Sequence, residues 1–354
     1  MPVLRAVPAA LVAVVLLAAP GSAQKPALML PDLDQAPIAC PGGWSEDPTT
    51  CKDWDVCMVA DARARTSDCV IAGRIRAVRL RFTTSVDNVG DGPLVIYARR
   101  SSVRQEHMRV RQAFADAAGS LPTRYAAAQR ALPDPKRNYA YYEPTPTHQH
   151  WHLMNFEHFE LRRFSGPTVV RDRKNGVCLG DRYKVVNAAS LPRRPGSSKT
   201  TLGRLHRELS HNTGVRPSSY NCQMGRTASS NIRELREGIS VGSGDDYTFA
   251  VDYQWLDITR VPSGTYLIVA RANPNGALRE TRSDNNAASL VVSIQWPKGA
   301  SKAPARITDP PQVRLLASCP DSAECSPPPS ASSGSARARI AIGRTFACPL
   351  HARV

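Results

Sequence analysis

Three histidines at alternate positions, His148, His150 and His152, lead the stretch THQHWHLMNFEHFEL (Thr147–Leu161). On a strand, residues i, i+2 and i+4 share a face, so the three imidazoles point the same way. At about 3.3 Å per residue the outer two Cα atoms of a straight strand lie roughly 13 Å apart. That is near the limit at which both rings reach one ion through metal–N bonds of about 2.0–2.1 Å, so a metal-holding strand must curve or bulge here. With no thiolate or carboxylate in the cluster, three neutral imidazoles suit copper(II) as well as zinc and leave a position open for water or a substrate oxygen. The competing reading is a polar strand surface. His158 has the parity of the same face, as a supporting or exposed histidine rather than a fourth ligand.

The elements that must position these histidines read as strands. Val78, Leu80 and Phe82 alternate with Arg79, Arg81 and Thr83, as in a half-buried strand; the turn VGDGP (Val89–Pro93) follows, then the apolar LVIYA. Residues 101–132 are rich in Ala, Arg and Gln and predict a helical insertion between strands. Further on, YTFAVDYQW puts Tyr247, Phe249, Val251, Tyr253 and Trp255 on one face, and YLIVARANPNGALRETRSDNNAASLVVSIQW reads as two strands around an Asn-Pro-Asn-Gly turn. The expected fold class is all-β, a β-sandwich with long loops. Residues 297–354, rich in Pro, Ser and Ala, predict a flexible tail that Cys319, Cys325 and Cys348 could tie down in part.

Composition sets the compartment. In the 354-residue chain Arg5, an apolar run over Ala9–Ala19 and small residues at Gly21 and Ala23 read as a secretory signal, residues 1–23, leaving 24–296 as the folded domain. The run is short for a membrane span, and no later segment approaches that length. Nine cysteines, four of them grouped as Cys40, Cys51, Cys57 and Cys69, fit an oxidising, secreted or envelope destination; four cysteines allow three pairings, and an odd total leaves one thiol over. The formal charge of +16 comes from dispersed arginines with no zinc-finger or RNP-type motif, which argues for a solvated basic surface and against nucleic acid.

No GxSxG elbow, Walker loop or HExxH helix is present, which argues against serine hydrolases, nucleotide hydrolases and the common zinc proteases. Two further segments are informative: KNGVCLGD (Lys174–Asp181) and GSGDDYTFAVDYQWLDITRVPSGTYLIVARANPN (Gly242–Asn275). Together with HQHWH and LPDL (Leu30–Leu33), in this order, they resemble the catalytic domain of the lysyl oxidase family, copper amine oxidases acting on peptidyl lysine. The resemblance covers most of 30–296 and suggests a distant, bacterial-type member.

The resemblance implies that His148, His150 and His152 bind copper, and that Lys174 and Tyr247 form the lysine tyrosylquinone cofactor. The substrates would be primary amines, lysines of proteins among them, and molecular oxygen; the products would be aldehyde, ammonia and hydrogen peroxide. Asp245 and His158 are the candidates for the base that removes the substrate's α-proton. The family's cysteine before the histidines is Thr147 here, and two that flank its tyrosine are Ser243 and Tyr253, so its disulfides are largely lost; Cys178 and Cys222 keep counterparts and are expected to pair. A calcium site of some members is matched by Asp32, Glu280, Asn285 and Asn286, with Arg282 in place of an aspartate and Asp284 as the substitute. An Asn/Asp turn is the alternative there. The alternative for the whole chain is a non-catalytic secreted module that binds copper or zinc.

Overall fold

The computed structural model describes residues 27–63, 68–144, 149–164, 166–171, 176–197, 199–210, 222 and 229–326. In chain order, β1 (Leu28–Met29), β2 (Leu33–Gln35), β3 (Trp54–Val59), β4 (Ala77–Phe82), β5 (Thr84–Asn88), β6 (Leu94–Arg99), β7 (His107–Ala113), β8 (Ala115–Asp116), β9 (Arg130–Ala131) and β10 (Tyr139–Glu143) precede the histidine strand β11 (His150–Leu153). After it come β12 (Glu157–Arg162), β13 (Thr168–Arg171), β14 (Tyr183–Lys184) and the helix α1 (Thr201–Ser210). The chain then forms β15 (Glu234–Ile239), β16 (Ser243–Tyr247), β17 (Trp255–Asp257), β18 (Gly264–Ala272), β19 (Ala287–Gln295) and β20 (Gln312–Cys319). The protein is all-β, as its alternating strand patterns predict.

The strands build two pairs of facing layers. A sheet in the order β11-β10-β7-β6-β15, with β9 also on β7, shares a core with the sheet β14-β16-β5-β2; Leu33, Val86, Leu94, Ile96, Met108, Trp151, Leu153, Leu235 and Tyr247 fill it. The sheet β13-β12-β18-β19-β20 packs against β17-β4-β3 around Leu80, Phe82, Phe159, Ile268, Leu290 and Trp296. Strand-forming residues explain the centre of that second pair: β18 and β19 are rich in Val, Ile and Leu, and their register runs from Gly264↔Ile294 to Arg271↔Ala287. Thr83 joins the two pairs. It sits between β4 and β5, fully buried, donating its N–H to Asp53 O (2.9 Å) and accepting Ala39 N–H (2.8 Å), so one run of chain leaves one sheet for the next.

Several expectations need correction. Residues 101–132 are not a helical insertion: they carry β7, β8, β9 and one short 3-10 turn, Tyr125–Ala127. In HMRVRQA the side chains of Met108, Val110 and Gln112 are buried while His107 and Arg109 are exposed, so the period-two pattern overrides the helix-favouring propensity of Ala, Arg and Gln. The stretch after Tyr247 is not a continued strand, because residues 248–254 form turns, with Tyr253 left-handed at φ 65° and Gln254 Nε2 bonded to Phe82 O (3.1 Å) and Thr84 Oγ1 (2.9 Å). The tail begins later than 297: β20 adds to β19, with Val313 in the core, and a Cys319–Cys325 disulfide follows. Proline-rich flanks hid that strand; residues 327–354, Cys348 included, lie outside the described residues.

The strand Ala77–Phe82 is buried on both faces rather than one. Arg79 lies over the Trp255 ring at 3.9 Å, and Arg81 pairs with Asp55, its Nε 2.6 Å from Oδ1, which removes the charge cost of burying that face. Disulfides join Cys40 to Cys51 and Cys57 to Cys69, one of the three pairings open in the sequence. Among the described residues no helix is long and apolar enough to cross a membrane. The secretory signal read at 1–23 lies outside the described residues.

Candidate metal and cofactor site

β11 is an outer strand of its sheet, antiparallel to β10 with Glu143 opposite His150 and Tyr141 opposite His152. Strand alternation sends Trp151 and Leu153 into the core and both histidines to the other face. Both imidazoles are nonetheless buried, with Nε2 of His152 2.9 Å from Nε2 of His150. Nitrogens at this separation are closer than twice a metal–N bond of about 2.0–2.1 Å, so one ion can contact both, and a donor set of imidazoles fits copper or zinc. His148 lies outside the described residues, and among the described residues no three His, Cys, Asp or Glu side chains form a metal-holding group.

The segment after Lys174 assembles the rest. Lys174 itself lies outside the described residues. Val177 pairs with Leu153 at the open edge of β11, donating to its O (3.0 Å) and accepting its N–H (2.8 Å). Gly176 lies so close that a Cβ there would stand 2.5 Å from Met154 Sδ and 3.2 Å from His152 Cβ, so any larger residue must push the Met154 side chain aside and crowd His152. The peptide N–H groups then alternate in direction, as those of an extended chain do. Cys178 N–H donates to the Tyr247 hydroxyl oxygen (2.7 Å) and Gly180 N–H to Asp245 Oδ2 (3.0 Å), both on β16. Val177 and, at 3.4 Å, Leu179 N–H instead face Leu153 of β11 and Glu237 Oε2 of β15.

The expected Cys178–Cys222 disulfide is present and lies in the same core as Tyr247. Burial, reinforced by Asp245, pushes the Tyr247 phenol well above its ordinary value. Burial also pushes the Asp245 carboxyl up, to about 7, against the opposing pull of Arg182, whose Nε donates to Oδ1 at 2.5 Å. Beside them, buried Asp181 accepts Ser240 N–H (2.7 Å) and lies 2.7 Å from His206 Nδ1 on α1, which raises the imidazole's value.

The other candidates divide. His158 is half-buried in the five-stranded sheet opposite Arg271, a different sheet from that of His150 and His152. Asp32, Glu280, Asn285 and Asn286 do come together: Asn285 Nδ2 donates to Asp32 Oδ1 (2.9 Å), and Glu280 accepts Asn286 Nδ2 (2.7 Å), Asn273 Nδ2 (2.5 Å) and Leu33 N–H (3.1 Å). The Oδ1 atoms of Asn285 and Asn286 are buried and accept no hydrogen bond from the described residues, a set of hard oxygens of the type calcium takes. Asp284 stays out, exposed and bonded through both oxygens to Arg282 (2.9 and 3.0 Å). Two residues of the main site escaped the sequence reading, Arg182 and Glu237. The signal for Glu237 was an acid at the inward parity of its strand, between Leu235 and Ile239.

Residues 214–298 match the lysyl oxidase family. The chain is 29% identical to lysyl oxidase homolog 2 of Bos taurus over 140 residues, 28% to that of Homo sapiens over 140 residues, and 30% to lysyl oxidase homolog 3B of Danio rerio over 141 residues. These matches take in 39–40% of this chain and 13% of each relative, so they span a small part of the curated relatives. The family match includes Cys222, Glu237, Asp245 and Tyr247 but begins after the histidines and Lys174. Tyr247 and its surrounding strands β15 to β19 thus lie in the segment of the chain that is similar to the lysyl oxidase family.

Proposed function

We propose that this protein is an exported, copper-dependent amine oxidase that converts primary amines, lysines on proteins among them, to aldehydes with release of ammonia and hydrogen peroxide. His148, His150 and His152 would hold the copper, and Lys174 and Tyr247 would supply the lysine tyrosylquinone. Copper with molecular oxygen supplies the oxidising power for the tyrosine ring, and the quinone serves as the electron sink for the amine. The observation that carries the reading is the double tether of the Lys174-bearing segment: Val177 pairs with Leu153, next to His152, while Cys178 N–H holds the Tyr247 oxygen at 2.7 Å.

The residues around Tyr247 suit this work. The hydrogen bond from Cys178 fixes the ring's oxygen, and the shared core excludes water from it. Asp245, near a value of 7 and held by Arg182, can hold or release a proton at neutral pH, which makes it the favoured base over His158. Calcium at Asp32, Glu280, Asn285 and Asn286 would act on stability, fastening β2 to the loop between β18 and β19.

Mass analysis of tryptic peptides tests the proposal, using full-length protein reconstituted with copper in air. A covalent Lys174–Tyr247 peptide with quinone absorbance is the expected result. Unmodified peptides from copper-loaded protein would reject it and leave the non-catalytic copper- or zinc-binding module.

A further inference from the structure

β15 turns Leu235, Glu237 and Ile239 to the core that holds Tyr247 and the Cys178–Cys222 disulfide, while Arg236 on the other face bonds Glu208 of α1. Glu237 is completely buried and stands opposite Ile96. An ionised carboxylate in such a place is costly unless a cation pairs with it. Asp245 has that partner in Arg182; Glu237 has none among the described residues. One Glu237 oxygen accepts Leu179 N–H at 3.4 Å, and the other, Oε1, is buried and accepts nothing from the described residues. The charge of Asp245 is felt at Glu237, and of the two carboxyls it is Asp245 that the Arg182 guanidinium pairs with, so a proton on Glu237 balances the charge.

We infer that Glu237 is a positioning residue of this site, the carboxyl that carries the proton of the Glu237–Asp245 pair and so leaves one negative charge rather than two beside the Tyr247 phenol. Asp245, Tyr247 and the N–H groups of Leu179 and Leu153 are the groups that act on it. Burial pushes the Glu237 carboxyl well up; the Leu179 N–H opposes this and Asp245 adds to it. Its influence on the reaction rests on the amine-oxidase reading, because Tyr247 must shed its phenol proton on oxidation and a second anion would hold that proton in place. The protonation state of Glu237 does not depend on that reading.

The test uses the full-length, metal-free protein, with folding checked by circular dichroism. Infrared spectroscopy should show a buried carboxylic-acid band at neutral pH that Glu237→Gln lacks. Asp245→Asn should shift the disappearance of the band to lower pH, since it removes the neighbouring anion. A neutral-pH spectrum that Glu237→Gln leaves unchanged, or a titration that Asp245→Asn leaves in place, overturns the inference. In copper-loaded, aerated protein the wild-type Lys174–Tyr247 cross-link should form roughly tenfold more slowly per pH unit above the Glu237 transition, and Glu237→Gln should abolish that alkaline decline. The same decline in both proteins overturns the role in the reaction. A cross-link in neither counts against the oxidase reading alone, the infrared result still deciding where the proton lies.

Discussion

Cys178 holds Tyr247 through its backbone, N–H to hydroxyl at 2.7 Å, while its side chain is bonded to Cys222. The disulfide therefore fixes the donor that orients the ring. The two cysteines are separated by 44 positions, and chain entropy for such a loop gives about 4 kcal/mol. Replacing both by serine should lower the urea-unfolding free energy by about that amount and loosen Tyr247. A loss under about 1 kcal/mol would show that the link contributes little to the folded state.

Asp245 makes stability depend on pH with a definite sign. Its folded value of about 7 lies above the unfolded 3.8, so between those values the unfolded chain has lost a proton that the native protein keeps. Stability from this group is fully present below the unfolded value and declines as pH rises through the window, by at most roughly 1.4 kcal/mol per unit. Asp245→Asn should flatten that slope in urea titrations at stepped pH. Arg182→Met should steepen the loss at neutral pH and cost about 3 kcal/mol, because it strands a buried carboxylate.

Gly176 sets how closely the lysine segment passes His152. In Gly176→Ala the new methyl collides with Met154 Sδ and crowds His152 Cβ. Copper affinity, measured by competition with a chelator, should fall roughly tenfold, the scale on which supporting residues affect metal sites. His152→Ala should lose tight copper uptake altogether. Unchanged affinity in His152→Ala would remove β11 from the metal site, and unchanged affinity in Gly176→Ala would show that Met154 yields to the methyl.

His206 works in the same direction as Asp245, over a higher pH window. Asp181 raises its value, so the pair's contribution is complete below the ordinary histidine value of 6.5 and fades as pH rises through the higher folded value. Amide hydrogen exchange in α1 should therefore speed up above neutrality beyond its intrinsic increase. His206→Ala should remove the extra dependence.

The sequence reading was strongest where chemistry or apolar alternation is local. His150 and His152 share a face, and the partners β18 and β19 lie where the valines and isoleucines put them. The 14-residue excursion between them, 273–286, is wider than the Asn-Gly turn suggested, because Asn273 and Glu280 bond across it instead of closing a tight hairpin. HMRVRQA was missed because alanine-rich flanks masked five or six alternating residues. Glu237 and Arg182 were missed for a different reason: each gains meaning only from a neighbour some 55 to 65 positions away, Leu179 for one and Asp245 for the other.

The alternating N–H groups from Val177 to Gly180 have a consequence for how this chain can vary. Removing one residue from the run would exchange its two sides at once, offering the tyrosine's donor to β15 and the acid's donor to β16. Side chains here can be replaced one at a time, but length cannot drift: a single-codon deletion would scramble every contact in the run together, leaving no neighbouring length through which the site could change gradually.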